Sequence, residues 1–88
     1  FSDDINWCKA NFEGDNIDFI DFMRPDYFDM YLMSLCKNNI IANSSFSYWG
    51  AYLNRNDNKV VIAPRIWFKN DEANQKSAGL IPENWIRI

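Results

Sequence analysis

The sequence contains no histidine. That absence removes a Ser-His-Asp triad, a Cys-His dyad and most zinc sites from the chemistry available within it. Cysteine is nearly as scarce. Cys8 and Cys36 lie too far apart for a CxxC motif and make no zinc set. Both fall in segments that read as helices, where a reduced thiol packs as a small hydrophobe, so both are expected in the core. No Gly-x-Gly-x-x-Gly or P-loop run is present. There is no Asp-x-Asp pair either. Asp15, Asp18 and Asp21 recur at every third position of a strand-like segment, where they do not converge, and no metal is expected. Basic residues are outnumbered, nine Lys and Arg against twelve Asp and Glu, and none of them form a run. A nucleic-acid partner needs a concentrated basic face, so none is expected. No apolar run reaches the roughly 20 residues that cross a bilayer, and no signal peptide is visible.

What the chain does have is apolar and aromatic mass. Of its 88 residues, 48% are hydrophobic and 17% aromatic, with a net charge of only −3. Disorder is excluded by that balance, and one small domain with a modest core is expected. The first residue is Phe1 rather than Met, which leads to the expectation of a piece excised from a larger protein.

Strand and helix signals alternate along the chain. Phe1-Ser2-Asp3-Asp4 reads as a strand end running into a helix capped by Asp3 or Asp4, marked by Ile5, Trp7, Cys8 and Phe12 and ended by Gly14. Ile17 to Phe22 is rich in strand formers. Asp26 is a candidate N-cap, with Asp29 at capping-box spacing, for a largely buried helix from Tyr27 to Lys37. Asn39 to Ala42 suits a buried parallel strand, and Ser44 and Ser45 cap the next helix, through Leu53. Asn54 to Asn58 is a polar turn, and Lys59 to Ala63 is the clearest strand, closed by Pro64. Residues 69–79 read as a loop, and residues 80–88 as a tail docked through Trp85, Ile86 and Ile88. The pattern predicts an α/β fold: a small parallel sheet with flanking helices, covered on both faces.

The segment with chemical content is NIIANSSFSYWGAYL, Asn39 to Leu53. A strand ends, a hydroxyl-rich turn follows, and a helix starts at once. Open α/β sheets bind ligands beyond the C-terminal ends of their strands. A helix start there offers free N–H groups and a positive dipole end, to which Ser44, Ser45 and Ser47 add hydroxyls. Those serines also serve as plain caps. Gly50 permits either a close ligand approach or tight helix–sheet packing. Asp29 is a capping carboxylate or an acceptor for a ribose or base. Asp3 and Asp4 are helix caps or acceptors for a guanine edge or ribose hydroxyls. Tyr48, Trp49, Tyr52, Trp67 and Trp85 can stack on a base or sugar, although Trp49 is expected in the core.

The run DMYLMSLCKNNIIANSSFSYWGAYL, Asp29 to Leu53, resembles the C-terminal signature of the α-1,2-fucosyltransferases, glycosyltransferase family 11. So do KVVIAPRIWF, the opening FSDDINW and the closing IPENWIRI. The resemblance covers most of the chain apart from Asp71 to Ser77. It implies the Rossmann-like C-terminal half of a two-domain GT-B glycosyltransferase. That half binds GDP-fucose, and the enzyme inverts the anomeric centre while passing fucose to the 2-hydroxyl of a galactoside, with no catalytic metal. Carried onto this sequence, the resemblance places Ser44, Ser45, Phe46 and Ser47 near the diphosphate, with Asp29 on the preceding helix. Asp3 and Asp4 then face the nucleoside. Tyr48 stands where the family often has Trp, and Asn38 where many bacterial members have His. The family's basic motif, His-x-Arg-x-Gly-Asp, is absent, so this chain alone is expected to be inactive, with the acceptor bound through a missing N-terminal half. The family setting also implies bacterial surface-glycan synthesis in the cytoplasm, including the inner face of the membrane. Two rivals stand beside this reading: a donor domain for another nucleotide sugar, and a non-catalytic α/β interaction module.

Overall fold

The computed structural model describes residues 1–76 and 79–88. Three short strands, β1 (Asn39–Ile40), β2 (Val61–Ala63) and β3 (Ile86–Arg87), form a parallel sheet in the order β1-β2-β3. Asn39 and Ile40 register with Val61 and Ile62, and Ile62 and Ala63 with Ile86 and Arg87. The ladder runs slightly past those limits: Ile41 N–H donates to Ile62 O (2.9 Å) and Ile88 N–H to Ala63 O (3.0 Å). The tail is therefore a strand of the sheet, with Trp85 and Ile81 buried in the core beside it.

Helices α1 (Ile5–Asn11), α2 (Asp26–Ser34), α3 (Ser45–Tyr52) and α4 (Asp71–Lys76) complete the chain. Asp4 caps α1 by accepting from Trp7 N–H, and Lys9 sits in its last turn, where a cation suits the dipole. The helix ends at Asn11, before Gly14, because Phe12 turns extended. Helix α3 packs against α2. Its inward stripe of Ser47, Gly50 and Ala51 is small, which allows a close approach. A Cβ on Gly50 would lie 2.9 Å from Met33 Cβ, so the glycine answers to helix–helix packing rather than the helix–sheet contact expected of it. Because the small residues take the inner face, Trp49 is left 46% exposed and Tyr48 turns to the core in its place.

Several expectations are corrected. Ile17 to Phe22 forms no strand. Interleaved aspartates and the lack of a neighbouring strand leave only Phe19 and Ile20 half-buried there. Helix α2 stops at Ser34 rather than Lys37, because Asn39 Nδ2 donates to Met33 O (2.9 Å) and turns the chain into β1. Cys36 therefore lies beyond the helix and is exposed, while Cys8 is half-buried, so neither thiol belongs to the core. In residues 69–79 the chain forms α4. Asn70 Oδ1 accepts from Ala73 N–H (3.0 Å), and Glu72 pairs with Lys76 one turn on (3.2 Å). Residues 77 and 78 of that expected loop lie outside the described residues. Lys59 is not a strand residue. Its ammonium donates to Ala51 O (3.0 Å) and Asn54 O (2.6 Å), closing the C-terminus of α3. The sheet is also covered on one face only, since Ile40 is 79% exposed.

Polar groups taken into the core are paired. Buried Asn54 donates through Nδ2 to Cys36 O (2.5 Å) and Asn39 Oδ1 (2.8 Å), and accepts from Asn56 N–H (3.0 Å). That network fixes the polar turn after α3 to the turn before β1, as the rule for buried amides requires.

Candidate functional site

Strand β1 delivers the chain to Ala42 and Asn43, whose Nδ2 donates to Trp67 O (3.2 Å) and anchors the turn to the segment after β2. Ser44 adopts an extended N-cap conformation, and its Oγ accepts from Ser47 N–H (3.5 Å). The Ser47 hydroxyl contacts Ala42 O (3.2 Å) and Ser44 O (3.1 Å), so its proton faces backbone carbonyls and only its lone pairs face outward. The N–H groups of Ser45 and Phe46 meet no acceptor among the described residues. These are the orphan donors that a helix start leaves for an anion.

Beside this helix start lies a cleft of about 810 Å³. Asp3, Asp29, Ser44, Phe46 and Ser47 all line it, joined by Phe1, Ser2, Asp26, Met33, Ile40, Ile41 and Ala42. Ser45 and Asp4 do not line it: Ser45 is exposed on the outer turn of α3, and Asp4 is occupied in capping α1. The N-termini of α2 and α3 thus meet at one cleft. Asp26 was not among the site residues singled out from the sequence. Its signal was its place at the first position of a helix that starts on the same side of the sheet as α3.

The electrostatics divide the cleft. At the α3 end are N–H donors and a positive dipole end. At the other end are the carboxylates of Asp3, Asp26 and Asp29. Asp29 is matched by Arg24, whose Nε donates to Oδ1 (2.5 Å) and Nη2 to Oδ2 (2.8 Å). This fork holds both carboxylate oxygens, and the hydrogen bond to Asp29 pushes the Arg24 guanidinium above its ordinary value. The capping box expected from Asp29 is therefore not made: α2 has Pro25 at its N-cap and no side-chain cap bond. Such a cleft can take a ligand that is anionic at one end and carries hydroxyl or N–H donors at the other. Among the described residues, no group of three or more His, Cys, Asp or Glu converges in a metal-holding arrangement. A smaller recess of about 350 Å³ lies at the opposite ends of α2 and α3, around Cys36, Lys37 and Asn54.

The chain belongs to glycosyl transferase family 11, whose profile matches residues 1–88. It is 46% identical over 93 positions to an alpha-1,2-colitosyltransferase of Escherichia coli, covering all of this chain and 31% of that protein. It is also 42% identical over 91 positions to the O-antigen biosynthesis glycosyltransferase WbnK of Escherichia coli, covering all of this chain and 29% of the relative. The chain thus spans about a third of the length of the curated relatives it matches. No solved structure matches it. Among the described residues, no helix is long and apolar enough to cross a membrane.

Proposed function

We propose that this chain is the donor-binding portion of an inverting α-1,2-glycosyltransferase, with the Rossmann-like C-terminal half of a GT-B enzyme as its setting. The donor is a guanosine-diphosphate sugar of the fucose type, and the acceptor is the 2-hydroxyl of a galactoside. The observation that carries this reading is the divided cleft. The start of α3 supplies N–H donors for the diphosphate, and Asp3 with Asp26 supplies acceptors for the guanine edge or ribose hydroxyls. Asp29, held by Arg24, borders the same space. Family membership supports sugar transfer from an activated donor. By itself it binds and does not turn over. The name of one relative, an O-antigen biosynthesis glycosyltransferase, supports O-antigen-like glycan synthesis in a bacterium, and the cytoplasmic side of the membrane is the place this reading gives it. No metal takes part in this reading.

A colitosyl rather than a fucosyl donor is a second reading, favoured by the name of the 46% identical relative. Both share the nucleotide site, so competition between the two nucleotide sugars on the complete enzyme separates them.

The test is an NMR titration of the labelled chain with GDP and then UDP, without metal. With part of the site elsewhere, a dissociation constant on the order of millimolar, about −4 kcal/mol, is expected. Shifts should centre on Ser44 to Ser47 and be larger for GDP. Ser45→Pro removes one of the two orphan N–H donors at the first helical position, where proline is tolerated, and should weaken binding severalfold while leaving the circular dichroism unchanged. Undiminished binding by that variant would overturn the phosphate assignment.

A further inference from the structure

The cleft beside α3 is acidic, although the ligand read for it is an anion. Among the described residues that line it are three carboxylates, Asp3, Asp26 and Asp29, and no lysine or arginine. A diphosphate held by the N–H groups at the start of α3 shares that open space with all three. Like charges in one cleft repel, and a helix N-terminus sets only about half an elementary charge against them.

The cation that answers this stands just outside the lining. Arg24 precedes Pro25 and α2 and is not itself a wall of the cleft. It is held on three sides. Nε and Nη2 donate to Oδ1 (2.5 Å) and Oδ2 (2.8 Å) of Asp29, Nη1 donates to Phe22 O (2.6 Å), and the guanidinium carbon lies 5.5 Å from the centroid of the Phe22 ring. The Arg24 and Asp29 side chains are 17% and 19% exposed, whereas the Lys9–Asp21 and Glu72–Lys76 pairs are open to water. Open pairs contribute little, but a sheltered bidentate pair keeps its geometry. Asp29 forgoes the capping bond that its spacing offers and makes this fork instead. An ionised carboxylate has about four acceptor sites and the fork takes two, so Asp29 borders the cleft as an acceptor whose charge is already matched.

We propose that Arg24 is the positioning residue of the donor cleft. From behind Asp29 it fixes that carboxylate's orientation and cancels its charge, so the cleft admits a diphosphate and still offers an acceptor to the nucleoside. The inference rests on the nucleotide reading above and adds to it a residue that the lining does not contain. Arg24 touches Asp29 rather than the ligand, and its effect on binding passes through Asp29.

Calorimetry with GDP on the complete polypeptide that contains these residues tests it, at about 0.1 M and about 1 M salt, where the Debye length is roughly 10 Å and 3 Å. Arg24→Gln should weaken binding about tenfold at the lower salt and about threefold or less at the higher. In the Asp29→Asn background the same change should alter binding by no more than about twofold, because no carboxylate is left to cancel. Equal losses in the two backgrounds would overturn the proposal, since Arg24 would then act without Asp29. A loss that ignores salt would also overturn it, since a purely structural role has that signature. If circular dichroism shows Arg24→Gln unfolded, Arg24→Lys carries the decision. It keeps the charge and gives up the fork, so it should lose about threefold or less, and a tenfold loss would overturn the proposal. Absence of GDP binding by the unsubstituted polypeptide would instead overturn the donor reading, and this inference with it.

Discussion

Residues before Pro25 and residues after it are both rich in apolar side chains, and they use them differently. The first segment carries Phe1, Trp7, Phe12, Phe19 and Phe22 and fully buries none of them. The second encloses Trp85 at 5% exposure and places Val61 and Ala63 beneath α2 and α3, with Ala51 buried on the inner face of α3. The difference lies in partners. The second segment has three strands that pair across long sequence separations and two helices that close one face of the sheet. The first has one helix of seven residues, held by an Asp4 cap, and a segment that finds no strand to pair with. A helix that short is marginal without tertiary support. Apolar composition alone does not make a core; a surface of complementary elements does.

The sharpest test of that contrast compares two tryptophans. Trp85→Ala should cost about 3–5 kcal/mol, as for other large-to-small core changes, a large share of the stability of so small a domain. Trp7→Ala, at a position 56% exposed, should stay within about 0.5 kcal/mol. Urea denaturation of both variants measures the pair, and equal losses would mean that the first segment is packed as firmly as the second.

A smaller effect is expected where α2 and α3 meet. In an isolated helix Gly50→Ala would gain about 1 kcal/mol. Here the added methyl meets Met33 Cβ at 2.9 Å, a contact that no rotamer change relieves. The variant should lose roughly 1–3 kcal/mol, and Met33→Ala in the same chain, which keeps Cβ but removes Cε (2.9 Å) and Sδ (3.1 Å), should recover part of the clash cost. A stabilised Gly50→Ala would show that the two helices can move apart freely.

The smallest effect tests the first segment's own tie. Lys9 donates to Asp21, and this bond, helped by the lysine's charge, holds the Asp21 carboxyl below its ordinary 3.8. A depressed carboxyl contributes stability above its unfolded value, and that contribution is lost as pH falls through the lowered folded value. The window therefore lies below about pH 4. In Lys9→Ala the Asp21 titration, followed by NMR, should move up toward the ordinary value with little change in stability at neutral pH. An unmoved titration would mean that the pair does not form in solution.

The site was partly legible and the reasons are local. Ser44 caps α3 because a serine hydroxyl before a helix accepts from an N–H three residues on, and this needs no tertiary context. The same reasoning offered Asp3 or Asp4 as the cap of α1, and Asp4 is the one that holds it. It failed for Asp29, because a guanidinium five residues earlier is a stronger partner than a backbone N–H. It failed again for α4, where the absence of apolar periodicity hid a helix held by the Asn70 cap and the Glu72–Lys76 pair. Asp26 escaped notice because its role depends on two helix starts meeting in space.

By itself the sequence determined the alternation of strands and helices, the turn at Asn43 to Ser45, the order of elements that a parallel sheet needs, and a family signature specific enough to be recognised. Those features follow from neighbours a few residues apart and from apolar periodicity. Tertiary structure alone decided that Trp49 faces out while Tyr48 faces in, that Asn39 ends α2 early, that the tail is the third strand, and that one face of the sheet stays open at Ile40. Each of these is a competition between partners far apart in the chain, and its outcome depends on which surfaces the fold brings into contact.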